Sequence, residues 1–182
     1  MPEVTHLHTQ IGENMEFYDV LKKRRSIRLY KDTPVPDEAL ERILEAVQNA
    51  PTACNRQPFK FFIVKDPVRR EKLASVYKED WLKTAPVIVA AASDVNKAWR
   101  RREGDSIADA DTAIAMEHFV LAAAEENLGT CWICAFERAK ANAALDLPEG
   151  SWNVFALTPL GYAAAGPVPF VRKEIGEIAE IL

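Results

Sequence analysis

Cysteine is scarce in this chain. Three residues, Cys54, Cys131 and Cys134, are an odd and low count for 182 residues, which excludes a disulfide framework and fits a reducing compartment. Membrane-length apolar runs are missing too: the longest, Pro86 to Ala92 and Val120 to Ala124, end well short of the roughly 18 residues a spanning helix needs. The first 14 residues are polar, with His6, His8 and Gln10, and lack the basic start and apolar centre of a secretory signal. We therefore expect a cytoplasmic protein with no membrane partner. A surplus of positive charge is also absent: the formal net charge is −4, a poor match for nucleic acid, so any anion site must be local. Internal repeats, low-complexity tracts and linkers are not found. With 48% hydrophobic residues, the chain can build one sizeable core. The expected organisation is an N-terminal tail over 1–14 and a single domain over 15–182.

Asn14 is a candidate N-cap for a first short helix carrying Phe17, Val20 and Leu21. Leu40, Ile43, Leu44 and Val47 recur at helical spacing behind Thr33-Pro34-Val35-Pro36-Asp37, and Pro51 stops the pattern. A buried strand is expected at Phe59 to Lys65, and further strands at Pro86 to Ala92, at Thr130 to Phe136, and at Asn153 to Leu160 ending on Gly161. A helix start follows the first of these at Asp66-Pro67. Ser106 to Asn127 reads as the longest helix, apolar almost all round, with Gly129 as its C-terminal cap. Such a helix belongs in a core or a subunit interface. A short helix is expected at Arg138 to Leu145, and an extended tail from Ala163 to Pro169. Strands and helices mix without strict alternation, which favours an α+β layered domain.

Three segments could carry chemistry. Lys22-Lys23-Arg24-Arg25-Ser26-Ile27-Arg28 places five cations and a hydroxyl in seven residues. Guanidinium forks bind phosphate bidentately, so a phosphomonoester site is one reading. Cations gathered at a helix C-terminus, where the macrodipole favours them, are the other. Between a helix and a strand, Ala50-Pro51-Thr52-Ala53-Cys54-Asn55-Arg56-Gln57-Pro58 offers Thr52, Asn55 and Gln57 as hydrogen-bonding groups for the edge of a planar heterocycle. The same residues also suit an ordinary loop held by Asx-type turns. Cys131-Trp132-Ile133-Cys134 is formally a CxxC, yet it follows a long helix and reads as a strand, unlike a redox motif at a helix start. A zinc site would need His118 as fourth ligand. Buried, quiet cysteines and a packed mid-helix His118 are the simpler expectation, and no metal is expected. Asp109 and Asp111 are explained by the N-terminal dipole of the long helix.

Taken in order along the chain, these segments resemble the nitroreductase family of flavin mononucleotide enzymes. Arg24-Arg25-Ser26-Ile27-Arg28-Leu29-Tyr30 resembles its opening signature, and Ala50 to Phe59 its second. Asn127 to Phe136 resembles the segment whose backbone runs beside the flavin, and Leu157 to Tyr162 with Arg172-Lys173 resembles the last strand and terminal phosphate contact. The likeness runs from about Phe17 to Lys173. It implies a three-layer α+β fold, with a mainly antiparallel central sheet flanked by helices, in a homodimer with composite flavin sites. It further implies that Arg24, Arg25, Ser26, Arg28 and Arg172 hold the FMN phosphate and ribityl chain. Pro51, Thr52, Asn55 and Gln57 would reach the isoalloxazine from the partner, and Trp132, Ile133 and Cys134 would run beside the ring. The flavin would carry the chemistry with no catalytic side chain. NADH or NADPH and a small electron-poor acceptor (nitroaromatic, quinone or flavin) would stack in turn, hydride passing through N5 in a ping-pong cycle. Cys134 and Ala135 stand where the family often has glycine. Rival readings are a reductive dehalogenase or flavin-processing enzyme on the same fold, a flavin-binding module without turnover, and a CxxC thiol or zinc protein.

Overall fold

The computed structural model describes residues 16–148, 150 and 152–182. The N-terminal tail and the Asn14 cap lie outside the described residues. Helix α1 (Phe17–Lys23) opens the described chain and buries Val20. Helix α2 (Asp37–Gln48) starts behind Pro36 with Asp37 and Glu38 in its first turn, where the dipole favours acids, and buries Leu40, Ile43 and Val47 as their spacing predicts. Strand β1 (Phe59–Val64) follows. Helix α3 (Pro67–Ala74) is capped by Asp66, whose carboxylate accepts the Arg69 N–H at 2.9 Å, with Pro67 at the first helical position.

Strand β2 (Val87–Ser93) leads to the long helix α4 (Ala108–Glu125), then to β3 (Gly129–Thr130), α5 (Arg138–Ala144), β4 (Asn153–Gly161) and a terminal turn of helix, α6 (Ile175–Ile178). Among the described residues one four-stranded sheet runs in the order β1-β2-β4-β3, and its strands pair antiparallel throughout. β2 is buried over its whole length, because alternate residues feed two cores. Val87, Val89 and Ala91 join Ile43, Met116 and Phe119 beneath α2 and α4, while Ile88, Ala90 and Ala92 join Leu73, Leu82 and Ala141 beneath α3 and α5. Helices therefore cover both faces of an antiparallel sheet, which is the expected three-layer arrangement. Among the described residues no helix is long and apolar enough to cross a membrane.

Three expectations change. β1 is an edge strand, mostly half-buried, because only β2 pairs with it. The strand expected over Thr130 to Phe136 shrinks to Gly129–Thr130 plus an isolated bridge between Ile133 and Leu157. Pro159 is the reason. It stands opposite Cys131 in the register and has no N–H to give, and the Cys131 N–H turns to the Thr158 hydroxyl at 3.1 Å. The left-handed residue that closes α4 is Asn127 (φ 60°), just past the C-cap Glu126, not Gly129. Leu128 N–H bonds to Ala123 C=O at 2.8 Å and Asn127 N–H to Ala124 C=O at 3.2 Å, a Schellman pattern. The glycine is needed for packing instead, since a Cβ at 129 would come within 2.8 Å of Ile27 Cγ1. The chain also ends on a helical turn, α6, beyond the stretch expected to be extended.

Candidate functional site

The basic run divides in two. Lys22 pairs with Asp19 at 3.3 Å, and Lys23 donates to the Asn127 side chain at 2.6 Å beside the end of α4. For these two residues the helix-end reading holds. From Arg24 onward the chain leaves the helix and is fastened to β3, with Ser26 bridging Thr130 and Ile27 N–H donating to Thr130 C=O at 2.9 Å. The tail after β4 returns along the same segment: Lys31 N–H donates to Tyr162 C=O and Ala164 N–H to Leu29 C=O, both at 2.9 Å.

That return closes a cavity of about 220 Å³ lined by Arg24, Arg25, Ser26, Arg28, Val168, Pro169, Phe170 and Arg172. Five residues expected from sequence thus meet in one place although Arg172 is far away in the chain. Among the described residues, none of these four arginines forms an ion pair with a carboxylate. A second small hollow of about 120 Å³ shares Arg24 and Arg25 with Gly129, Thr130 and Asn127. Beneath the arginines Tyr30 is buried, donates its hydroxyl to Ile27 C=O at 2.6 Å, and has its ionisation pushed far up by burial, with the Arg28 charge opposing. Cys131 is buried here too. Burial raises its pKa, against the pull of Arg28, Ser26 and Arg24, so the thiol stays protonated at neutral pH.

The loop from Pro51 to Gln57 lines no part of this cavity in the same chain. Its backbone is unusual: Cys54, Asn55 and Gln57 all have positive φ, at 51°, 52° and 48°. Internal bonds hold it so. Thr52 Oγ1 accepts the Gln57 N–H at 3.0 Å, and Gln57 Nε2 donates to Asn55 Oδ1 at 3.1 Å. Two outside anchors fix the ends: Arg56 donates to Ala98 C=O at 3.0 Å, and Asp111 Oδ1 accepts the Ala53 N–H at 3.1 Å. Asp111 is buried, and its Oδ2 makes no hydrogen bond to a described residue. The dipole reading of Asp109 and Asp111 is therefore incomplete. Asp109 accepts from Ser93 Oγ at 2.9 Å and from Arg138 at 2.7 Å, so both acids tie α4 to neighbouring segments.

Trp132 packs edge-on to Phe155, with ring centroids 6.1 Å apart, and Ile133 is buried in the core beneath α5. Cys134 is exposed, as is Cys54, which corrects the expectation of buried cysteines for all but Cys131. Desolvation raises the Cys134 pKa, Arg138 opposing and Asp109 adding to it. Among the described residues no group of His, Cys, Asp and Glu could hold a metal ion. His118 Nδ1 lies 2.9 Å from Ala46 C=O, the packed mid-helix role expected of it. Sequence reading missed Phe170, whose ring meets both Arg25 and Arg172, and the anchoring role of Asp111. An aromatic in an otherwise featureless tail and an acid flanked by apolar helix positions were the available signals.

Known proteins resemble this chain in sequence and fold. A solved nitroreductase family protein from Clostridium novyi is 35% identical, with TM-score 0.74 over 82% of this chain and 86% of that one. An FMN-dependent nitroreductase from Clostridium difficile is 28% identical, with TM-score 0.73 over 84% and 90%. An FMN reductase [NAD(P)H] from Bacillus subtilis is 39% identical over 79 residues, which is 43% of this chain and 32% of that protein. The family model described as the nitroreductase family matches residues 21–83 and 68–162, segments that include the basic run, the Thr52 to Gln57 loop and most of the sheet. With its three-layer antiparallel fold and these matches, the chain belongs to the nitroreductase family.

Proposed function

We propose that this protein is an FMN-dependent NAD(P)H oxidoreductase that works as a homodimer and reduces a small electron-poor acceptor such as a nitroaromatic, a quinone or a flavin. The observation that carries the reading is the cavity in which Arg24, Arg25, Arg28 and Arg172 converge with Ser26 and, among the described residues, without a paired carboxylate. Four unneutralised guanidiniums in one hollow fit a dianionic phosphomonoester, because each fork donates two charge-assisted hydrogen bonds to phosphate oxygens. Neutral heterocycles or a bare carboxylate would leave most of that charge uncompensated. The residues present therefore fit the FMN phosphate. The names of the Clostridium difficile and Bacillus subtilis relatives, which include FMN and NAD(P)H, support the same choice.

Bound FMN supplies the two-electron redox chemistry, and the chain's residues position it. Arg24, Arg28 and Arg172 would neutralise its phosphate, and the Ser26 hydroxyl would be available to donate to it. Arg25 and Arg172 both lie against the Phe170 ring and line the same cavity. The Thr52 to Gln57 loop is preset in a strained shape and lines no part of its own chain's basic cavity, which supports a site completed by the partner's loop. An apolar groove of about 390 Å³ along α1 and α4, with Phe17, Leu121 and Ala122, gives a second copy a surface to cover. Three free cysteines agree with a cytoplasmic setting.

The deciding experiment measures FMN and riboflavin binding to apoprotein, followed by NADH and NADPH oxidation with menadione and a nitroaromatic. FMN should bind far better than riboflavin, and either nicotinamide should reduce the loaded protein. Equal affinity for the two flavins would remove the phosphate site. FMN binding without any NAD(P)H oxidation would leave a flavin-binding module. Loss of iodide from an iodophenol in preference to nitro or quinone reduction would favour the dehalogenase.

A further inference from the structure

Beyond residue 164 the apolar side chains face away from the rest of this chain: Val168, Val171, Ile175 and Ile178 are 64%, 92%, 78% and 69% exposed, and Phe170 is 46% exposed. Phe170 is the exception in kind. Its ring centroid lies 4.0 Å from Arg25 Cζ and 4.3 Å from Arg172 Cζ, so one aromatic side chain receives two guanidiniums. Arg25 is also tethered through its own hydrogen bond to Arg24 C=O at 2.7 Å. Arg172 has no such tether. Among the described residues it makes no hydrogen bond or ion pair, and the ring is what keeps its charge at the cavity.

Two cations gathered on one ring repel each other, and the repulsion is relieved when an anion lies in the cavity both of them line. We propose that Phe170 is a positioning residue that makes the tail an anion-linked strap: phosphate in the cavity docks the tail, and the docked tail delivers Arg172 to the phosphate. The proposal rests on reading the cavity as the FMN phosphate site. By linkage the two events strengthen each other by the same factor. The strap discriminates between flavins by their charge, since riboflavin fills no anion site and gives the tail no reason to close.

Trypsin reports the docked state directly, because it cuts after Arg172 and Lys173. In full-length apoprotein, FMN and inorganic phosphate should each slow release of the last ten residues, followed by mass spectrometry, and riboflavin should not. Phe170→Leu keeps an apolar side chain and removes the ring. It should weaken FMN binding about fivefold to thirtyfold, the equivalent of two cation–π contacts, and abolish the anion's protection of the tail. Phe170→Trp should restore both. A Phe170→Leu variant with wild-type affinity and wild-type protection would overturn the strap, as would tight FMN binding that leaves cleavage after Arg172 unchanged. If neither FMN nor phosphate binds the wild type, the phosphate-site reading itself falls, a result distinct from either of those.

Discussion

The arginine cavity and the Thr52 to Gln57 loop are both polar, yet their donors and acceptors are disposed in contrary ways. In the cavity four guanidiniums converge and none has a carboxylate partner among the described residues. In the loop the side chains answer one another, Thr52 to Gln57 and Gln57 to Asn55, while Asp111 and Arg56 hold the ends. The difference separates two jobs. Unpaired charge brought together at a cost in repulsion implies a ligand that repays it, whereas an internally satisfied, strained loop implies a shape kept ready for something to lie against.

The strongest way to break this comparison is to remove the charge. Arg24→Ala and Arg28→Ala should each weaken FMN binding by about 1.5 to 3 kcal/mol, roughly tenfold to a hundredfold or more, in a fluorescence titration. Wild-type affinity in both variants would return the whole run to the helix-end reading that already accounts for Lys22 and Lys23. The next largest effect should come from the loop's anchor. Asp111→Ala leaves the Ala53 N–H without its acceptor and should destabilise the loop by about 1 to 3 kcal/mol, whereas Asp111→Asn retains an acceptor oxygen and should restore most of it. Hydrogen exchange over 52–57 is the measurement. Equal protection in the alanine and asparagine variants would show that the anchor is not needed.

Asn55→Ala should cost less, about 1 kcal/mol of flavin binding, and its use is to ask which chain the loop serves. Mixing Asn55→Ala chains with Arg24→Ala chains should regenerate one undamaged site per heterodimer and recover part of the activity. Verified heterodimers with no recovery would place the loop and the cavity in one chain. The smallest effects belong to the thiols. Cys134→Ala is at an exposed position and should shift stability by less than about 0.5 kcal/mol, with Cys131→Ala costing more because it leaves a small buried void. The double variant, once folded and loaded with FMN, should still be reduced by NAD(P)H. Failure of that reduction would revive a thiol relay.

Much of this was legible in the chain because the signals were local. The period of Leu40, Ile43 and Val47 and the Asp66-Pro67 start needed only neighbours a few residues away. The α+β layering followed from the mixture of elements, and the basic run announced an anion site, although its division at Arg24 depends on Asp19 and Asn127, which no spacing rule connects to it. What stayed hidden was non-local. β1 is half-exposed because of its place in the strand order, and Phe170 acquires its meaning only when the tail folds back along Leu29 and Lys31. Asn127 rather than Gly129 closes α4 because the helix stops at Glu125, and Gly129 lies further on in β3, against Ile27. The cysteines were judged as a type, but Cys131 lies inward beneath Arg28 and Cys134 outward near Arg138.

Pro159 sits inside β4, where a proline removes a rung from the ladder, and the break falls opposite Cys131. A residue with an N–H at that position would let the sheet zip on from Thr130 to Ile133, since the register on either side of the gap is already the same. The protein would then gain a longer strand, and the segment beside Ser26, now held through the Cys131 N–H on the Thr158 hydroxyl, would be locked into the ladder. Selection for a sturdier fold and selection for a usable site pull in opposite directions at this single residue. Thermal melting of Pro159→Ala set beside its FMN titration would expose the trade-off, with the melting temperature rising as affinity falls.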